Sequence, residues 1–373
     1  MLNKQAQKDH EKLSILIIRI TCLCWLPAKL LGWRMFTTYR AFPTAPVFKI
    51  FDQFPSVVHT LIFVASILFM ASLLIIPKYK PVLYGLLIIE FISCLLDQNR
   101  LQPWNYLYCF ILLTTIINAD KQKLGTIAFT FILAATYFYS GLGKLNFGFL
   151  HAIWGNMLLH SFLNIPVATG RETWLQYCGL LIGFFELTAG VGLLFLKTRK
   201  IAAALLILMH LFILVFLGPF GLNYNRIVWP WNFAMIIYLY LIFLKFEQVP
   251  FSFRTVFTSW NNLVFVFLGI LPALNFAGWW DNYLSSGVYS GKLPQMIICV
   301  KDTSKCRELK RFCKTGTHQF CDGSNAINLQ YWSMAETQMA PYPEIRAYEI
   351  LQHKLEAKYP AAGLTFVYIN PGQ

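Results

Sequence analysis

From Ser56 to Ile76 the chain carries no Asp, Glu, Lys or Arg, and from Ile201 to Leu244 Arg226 is the only residue of those four types. Runs of this kind constrain the fold first. About 20 apolar residues wound as a helix cross the hydrocarbon core of a bilayer. Burying so many charge-free runs in one soluble core would leave little polar surface. The composition agrees: 57% of the 373 residues are hydrophobic and 13% are charged, against about 25% charged in an ordinary soluble domain.

Hydropathy predicts an α-helical polytopic membrane protein with nine spans, near 13–32, 56–76, 80–97, 104–119, 124–144, 174–196, 200–218, 227–246 and 261–279. Arg19, Pro27 and Lys29 interrupt the first run, and no small-residue cleavage site follows it, so it reads as an uncleaved span. The segment 147–166 is amphipathic and only moderately apolar, the pattern of an interfacial or re-entrant helix. Residues 1–280 therefore form a helix bundle. Residues 281–373, with an ordinary soluble composition, form a small α+β domain. There "PQMIICVKD" and "GLTFVYI" read as strands, "SKCRELKRFCK" as a short basic helix and "PEIRAYEILQHKLEAKYP" as a longer one.

The net charge of +14 points to topology rather than nucleic acid. The loops on the N-terminal side, with Lys78, Lys80, Lys121, Lys197 and Lys200 among them, hold about twelve cations, and the opposite loops, including Arg40 and Arg171, about seven. This bias predicts a cytoplasmic N-terminus and, after nine spans, an extracytoplasmic tail, in a bacterial inner membrane by preference. No nucleic-acid-binding signature is present. Cys299, Cys306, Cys313 and Cys321 lack CxxC spacing, which disfavours a metal site. They are expected to form two disulfides with open pairing.

Polar chemistry gathers in three segments predicted to share the outer face. "YFYSGLGKLN" brings Tyr137 and Lys144, seven residues apart on one helix face. "LDQNRLQPWNYLY" brings Asp97, Arg100, Trp104 and Asn105. "GPFGLNYNRIVWPWN" brings Asn223, Asn225, Arg226, Trp229 and Asn232. A lysine at the mouth of an apolar cavity is either a snorkelling cation or, once desolvated, a general base. Asp97 and Arg100, at i, i+3 spacing, either pair at an interface or fix polar groups of a ligand. Glu90, Glu186 and His210 lie inside apolar runs and read as a proton relay or as structural partners, with a Glu186–His210 hydrogen bond as the simplest arrangement. Ser-His-Asp, P-loop, Rossmann and HExxH patterns are absent.

"YFYSGLGKL" and the Trp104-Asn105 block resemble the HTTM domain, the membrane part of vitamin K-dependent γ-carboxylase, and the helix pattern is also similar to DoxX-like membrane proteins. The resemblance implies a reduced quinone (vitamin K-like) as cofactor, a lipid-soluble small molecule as ligand, Lys144 as the base, and Trp104 and Asn105 lining its cavity. The residues themselves add Asp97 and Tyr137 as catalytic candidates, and Arg100, Asn223, Asn225, Arg226, Trp229 and Asn232 as further ligand-binding candidates. The chemistry implied is carboxylase-like lyase or quinone-linked oxidoreductase. "WNYLY" lacks the histidine that follows the pair in the carboxylase pattern, and about 90 residues follow the last span, so propeptide-directed carboxylation is not expected. The alternatives are a non-catalytic membrane subunit that binds an extracytoplasmic protein through its outer loops and tail, and a proton-coupled transporter using Glu90, Glu186 and His210.

Overall fold

A computed structural model describes residues 2–165, 174–246, 248–257, 260–314, 320–321 and 325–370. Its main helices are α1 (Leu2–Leu31), α2 (Ser56–Ile75), α3 (Lys80–Leu96), α4 (Pro103–Ile117), α5 (Gln122–Leu142), α6 (Phe149–Phe162), α7 (Trp174–Gly192), α8 (Arg199–Leu217), α9 (Arg226–Lys245) and α10 (Asn262–Ala277). The tail adds β1 (Gln295–Val300), β2 (Asn325–Asn328), α11 (Leu329–Thr337), α12 (Ile345–Lys358) and β3 (Leu364–Ile369).

Among the described residues six helices are long and apolar enough to cross a membrane: the Gln7–Leu31 part of α1, then α2, α5, α7, α8 and α9. The nine-span expectation is thus met by six. The other three candidates, α3, α4 and α10, are helical but shorter. At 17 residues, α3 rises about 26 Å at 1.5 Å per residue, short of a core about 30 Å thick. The segment near 147–166 is helical as α6, wound on the wide i→i+5 repeat, with Leu163 N donating to Leu158 O at 2.9 Å. Pro166 and Arg171 lie outside the described residues.

Backbone contacts divide the chain into two units, each built from separated segments. The first comprises Met1–Ala28, Ile67–Ile88 and Pro103–Gly291. The second comprises Lys29–Ser66, Ile89–Gln102 and Lys292–Gln373. The tail shares its unit with two earlier segments, Lys29–Ser66 and Ile89–Gln102.

In the first unit α5 and α7 pack almost backbone to backbone. A Cβ at Gly141 would stand 2.5 Å from both Gly183 O and Leu187 N, and one at Gly190 would stand 2.8 Å from Phe138 N. Small residues permit such an approach, which replaces side-chain volume with direct helix contact.

The second unit is organised by an antiparallel sheet in the order β2-β1-β3. Central β1 pairs Ile298 with Ile327 on one side and with Phe366 on the other. Five of its six residues are buried, as a strand paired on both edges and covered on its faces requires. Asn328 caps α11 by accepting from Tyr331 N at 2.9 Å. The expected strands and the long α12 are present. The expected basic helix over 304–314 is instead two tight turns, Thr303–Lys305 and Lys310–Phe312. The burial pattern explains it: Cys306, Leu309 and Phe312 are buried at three-residue intervals, the repeat of a 3₁₀ winding.

One disulfide joins Cys299 and Cys321, with Cα atoms 5.4 Å apart. The second expected bridge is not formed. The Cys306 thiol faces Asp302 O and Thr303 O, and the Cys313 thiol donates to Leu309 O at 3.5 Å.

Candidate functional site

The C-terminal end of α5 carries Tyr137 and Ser140, Lys144 follows two residues past its last turn, and close packing against α7 sets Glu186 opposite. Lys144 Nζ lies 2.7 Å from Glu186 Oε2, and donates to Ser140 Oγ at 2.6 Å and Ser140 O at 3.3 Å. Lys144 is 8% exposed and Glu186 4%. Gly143 caps the helix, its N–H bonding Tyr139 O at 2.8 Å. Asn146 then secures the exit, donating to Gly143 O at 2.7 Å and Ser290 O at 3.0 Å while accepting from Phe149 N.

A second hydrogen-bonded set starts from the same face. Tyr137 Oη lies 2.7 Å from His210 Nε2, and His210 Nδ1 lies 2.7 Å from Asn232 Oδ1. The expected Glu186–His210 hydrogen bond is replaced by these two sets: Glu186 is taken by Lys144, and His210 bridges Tyr137 on α5 to Asn232 on α9. Four helices thus supply the buried polar groups of this region.

The other candidates in the first unit have different partners. Asn105 Oδ1 accepts from Trp25 Nε1 at 2.8 Å, and Trp104 packs edge-on against Tyr108. Asn223 and Asn225 adopt positive φ, 46° and 50°. Asn223 Oδ1 accepts from Arg226 Nε, Asn225 Nδ2 donates to Tyr289 Oη at 2.8 Å, and Trp229 Nε1 donates to Leu217 O and Tyr224 O. These bonds shape the 218–229 loop itself. Of the eight expected ligand-binding residues, Asn232 bonds directly into the Tyr137–His210 set. A cavity of about 20 Å³, room for about one water, is lined by other residues, among them His10, Ser14, Asn118 and Thr126.

Asp97, Arg100 and Glu90 belong to the second unit. Asp97 is fully buried and pairs with Arg40, and it accepts from Ala45 N, Asn99 N and Asn99 Nδ2 at 3.0, 3.2 and 2.9 Å. Burial pushes its carboxyl up, but Arg40, Arg100 and the Ala45 N–H outweigh this and hold it below the usual aspartate value. Arg100 donates to Met35 O at 3.0 Å and Ser93 O at 3.3 Å, and meets His59 Nδ1 at 2.7 Å. Both residues thereby help to hold the 97–102 loop. The loop in turn grips the tail: Asn99 Oδ1 accepts from Tyr342 N at 3.0 Å and Gln102 Nε2 donates to Ala340 O at 2.9 Å. Glu90 pairs with Lys29 at 2.5 Å, and Lys29 also reaches Ser66 Oγ and the Phe36 ring.

Sequence reasoning missed Ser140, Arg40, Lys29 and Glu336. Ser140 had a signal, since it stands one turn before Lys144. Arg40 reads as a topology charge, and Lys29 as a break in the first apolar run. Glu336 accepts from Ala41 N, Phe42 N, Trp332 Nε1 and Arg311, which no local pattern discloses. Among the described residues no three His, Cys, Asp or Glu side chains gather as a metal site.

The six long apolar helices and the buried charges between them are the make-up of a helical polytopic membrane protein. Comparison with family models, curated proteins and solved structures finds no match.

Proposed function

We propose that this chain is an HTTM-like integral membrane enzyme that binds a reduced quinone-type lipid beside Lys144 and Glu186, on the extracytoplasmic side of a bacterial inner membrane. The observation that carries the reading is the buried Lys144–Glu186 pair among charge-poor helices. Ionisable residues in such surroundings are expensive and usually face a working interior. As an ion pair the two groups share one proton vacancy. Lys144 becomes a base when its proton moves to Glu186, and the amine then takes the hydroxyl proton of the quinol. The remaining positive charge of the site steadies the quinol anion. The nine-span topology, with short α3, α4 and α10 crossing as tilted or partial spans, belongs to the same proposal.

A non-catalytic subunit that binds an extracytoplasmic protein draws on the same pair, because opposite charges can hold two helices together without chemistry. The transporter reading is weaker, since Glu90, one of its three carriers, is engaged by Lys29.

Lys144→Arg separates the readings. The protein in nanodiscs is given menadiol, a reduced naphthoquinone, and oxygen-dependent loss of the quinol is followed. The enzyme reading expects turnover in the wild type and its loss in Lys144→Arg, with the melting temperature preserved because arginine keeps the charge. Full turnover in that variant, or no menadiol binding by the wild type, overturns the proposal.

A further inference from the structure

The amide of Asn232 has a fixed direction. Its Nδ2 donates to Val228 O at 2.8 Å, and a carbonyl can only accept, so Oδ1 must be the atom facing His210. That oxygen, 2.7 Å from His210 Nδ1, can only accept as well. His210 Nδ1 therefore carries a hydrogen. In a neutral imidazole the other nitrogen, Nε2, is then a bare lone pair. The Tyr137 hydroxyl, 2.7 Å away, must be its donor. Tyr137, His210 and Asn232 are 3%, 5% and 5% exposed, so water offers little competition for these bonds.

We infer that Asn232 locks His210 in the Nδ1–H tautomer and that His210 Nε2 is the proton acceptor for the Tyr137 hydroxyl, which makes Tyr137–His210 a proton relay ending at a phenol and positioned by Asn232. In the transfer the Tyr137 O–H bond breaks and an Nε2–H bond forms. The tyrosinate then faces an imidazolium whose second N–H is still held by Asn232. Tyr137 can next take a proton from a ligand hydroxyl, after which return of the His210 proton requires an acceptor such as the departing ligand anion. Asn232, expected from the sequence to touch ligand, is here a positioning residue that acts through His210. The inference deepens the enzymatic reading by assigning these roles, but its geometry does not depend on the ligand being a quinone.

The test is nitrogen-15 NMR of the full chain in nanodiscs, labelled at histidine, with the His210 signals identified by their loss in His210→Gln. The wild type should show one protonated nitrogen, Nδ1, and one bare, hydrogen-bonded nitrogen, Nε2. Tyr137→Phe should shift only Nε2, and Asn232→Leu should let the Nε2–H form appear. Tyr137→Phe alone decides the matter if Asn232→Leu does not fold. An Nε2–H tautomer or an imidazolium in the wild type at neutral pH overturns the inference, as does an Nε2 signal indifferent to Tyr137→Phe. A correct tautomer without menadiol turnover keeps the relay and removes the quinone reading. Turnover with the wrong tautomer does the reverse.

Discussion

Lys144 and Glu186, 42 positions apart, meet at 2.7 Å between α5 and α7. Both are buried, so removing one strands the other in apolar surroundings. Lys144→Ala should lower stability by about 3–5 kcal/mol, whereas the double change Lys144→Met with Glu186→Leu should be close to neutral. Thermal melts in one detergent measure both. Equal destabilisation by the single and double variants would show that packing, and not the stranded charge, sets the loss.

The approach of α5 to α7 depends on Gly141. Its missing Cβ leaves room for backbone atoms that cannot yield, Gly183 O and Leu187 N at 2.5 Å. Gly141→Ala should therefore destabilise by at least about 1–3 kcal/mol, the range for overpacking, and should abolish menadiol turnover with it. Gly85→Ala is the control. There the first obstacle, at 2.7 Å, is the far end of the Phe69 ring, which can rotate aside. A larger loss at Gly85 than at Gly141 would contradict this account.

Glu336 gathers four donors in the second unit: Ala41 N, Phe42 N, Trp332 Nε1 and Arg311 Nη2, at 2.9 to 3.0 Å. Glu336→Ala leaves two backbone N–H groups and an indole without their acceptor, at about 1–3 kcal/mol for each group that stays buried. Hydrogen exchange at Ala41 and Phe42 should accelerate strongly. Glu336→Gln, which keeps one acceptor oxygen, should release fewer of the four. Unchanged exchange at both amides would remove the clamp.

The helices were legible because hydropathy is a property of each segment by itself. Among the described residues six helices have the length and composition a bilayer demands, and α12 shows its helical spacing without help. What stayed hidden depends on partners. Strand β2 is the four residues Asn-Ala-Ile-Asn, too short and polar to announce itself, and it exists because β1 offers an edge. Glu336 finds Ala41 across 295 positions. Arg40 reads as one topology charge among many and Lys29 as a break in the first apolar run, since a sequence gives the number of cations but not which are buried against Asp97 or Glu90. In the site, Lys144, Tyr137, Glu186 and His210 were all recognisable as residues. Their pairing was not, because it is fixed by the glycine contacts that set α5 against α7.

Asp97 makes the second unit sensitive to acid. Its folded value lies below the ordinary 3.8 because Arg40 and Arg100 outweigh burial. A carboxyl depressed in this way contributes stability above its unfolded value and loses that contribution as pH falls through the folded one. Protection of the Ala45 and Asn99 amides, which donate to Asp97 Oδ1, should thus be steady near neutrality and weaken below about pH 4. Asp97→Asn should flatten this dependence while lowering protection at neutral pH. Protection of both amides that persists unchanged to pH 2 would show that Asp97 does not hold them.

The tail cysteines separate one bridge from two. Cys299 and Cys321 close a loop of 22 positions, worth about 3 kcal/mol by the loop-entropy relation. Cys299→Ser should lower the stability of the second unit by that order even without reductant. Cys306 and Cys313 are thiols, and burial pushes both up from the ordinary cysteine value, Cys313 also through its neighbour Cys306. A buried thiol that resists ionisation reacts slowly, because the thiolate is the nucleophile. Alkylation of the native protein should therefore spare Cys306, which is 1% exposed, and label it fully after denaturation without reductant. Cys299 and Cys321 should take label only after reduction. A non-reducing peptide map that links Cys306 to Cys313 would instead establish the two-bridge tail that the cysteine count suggested.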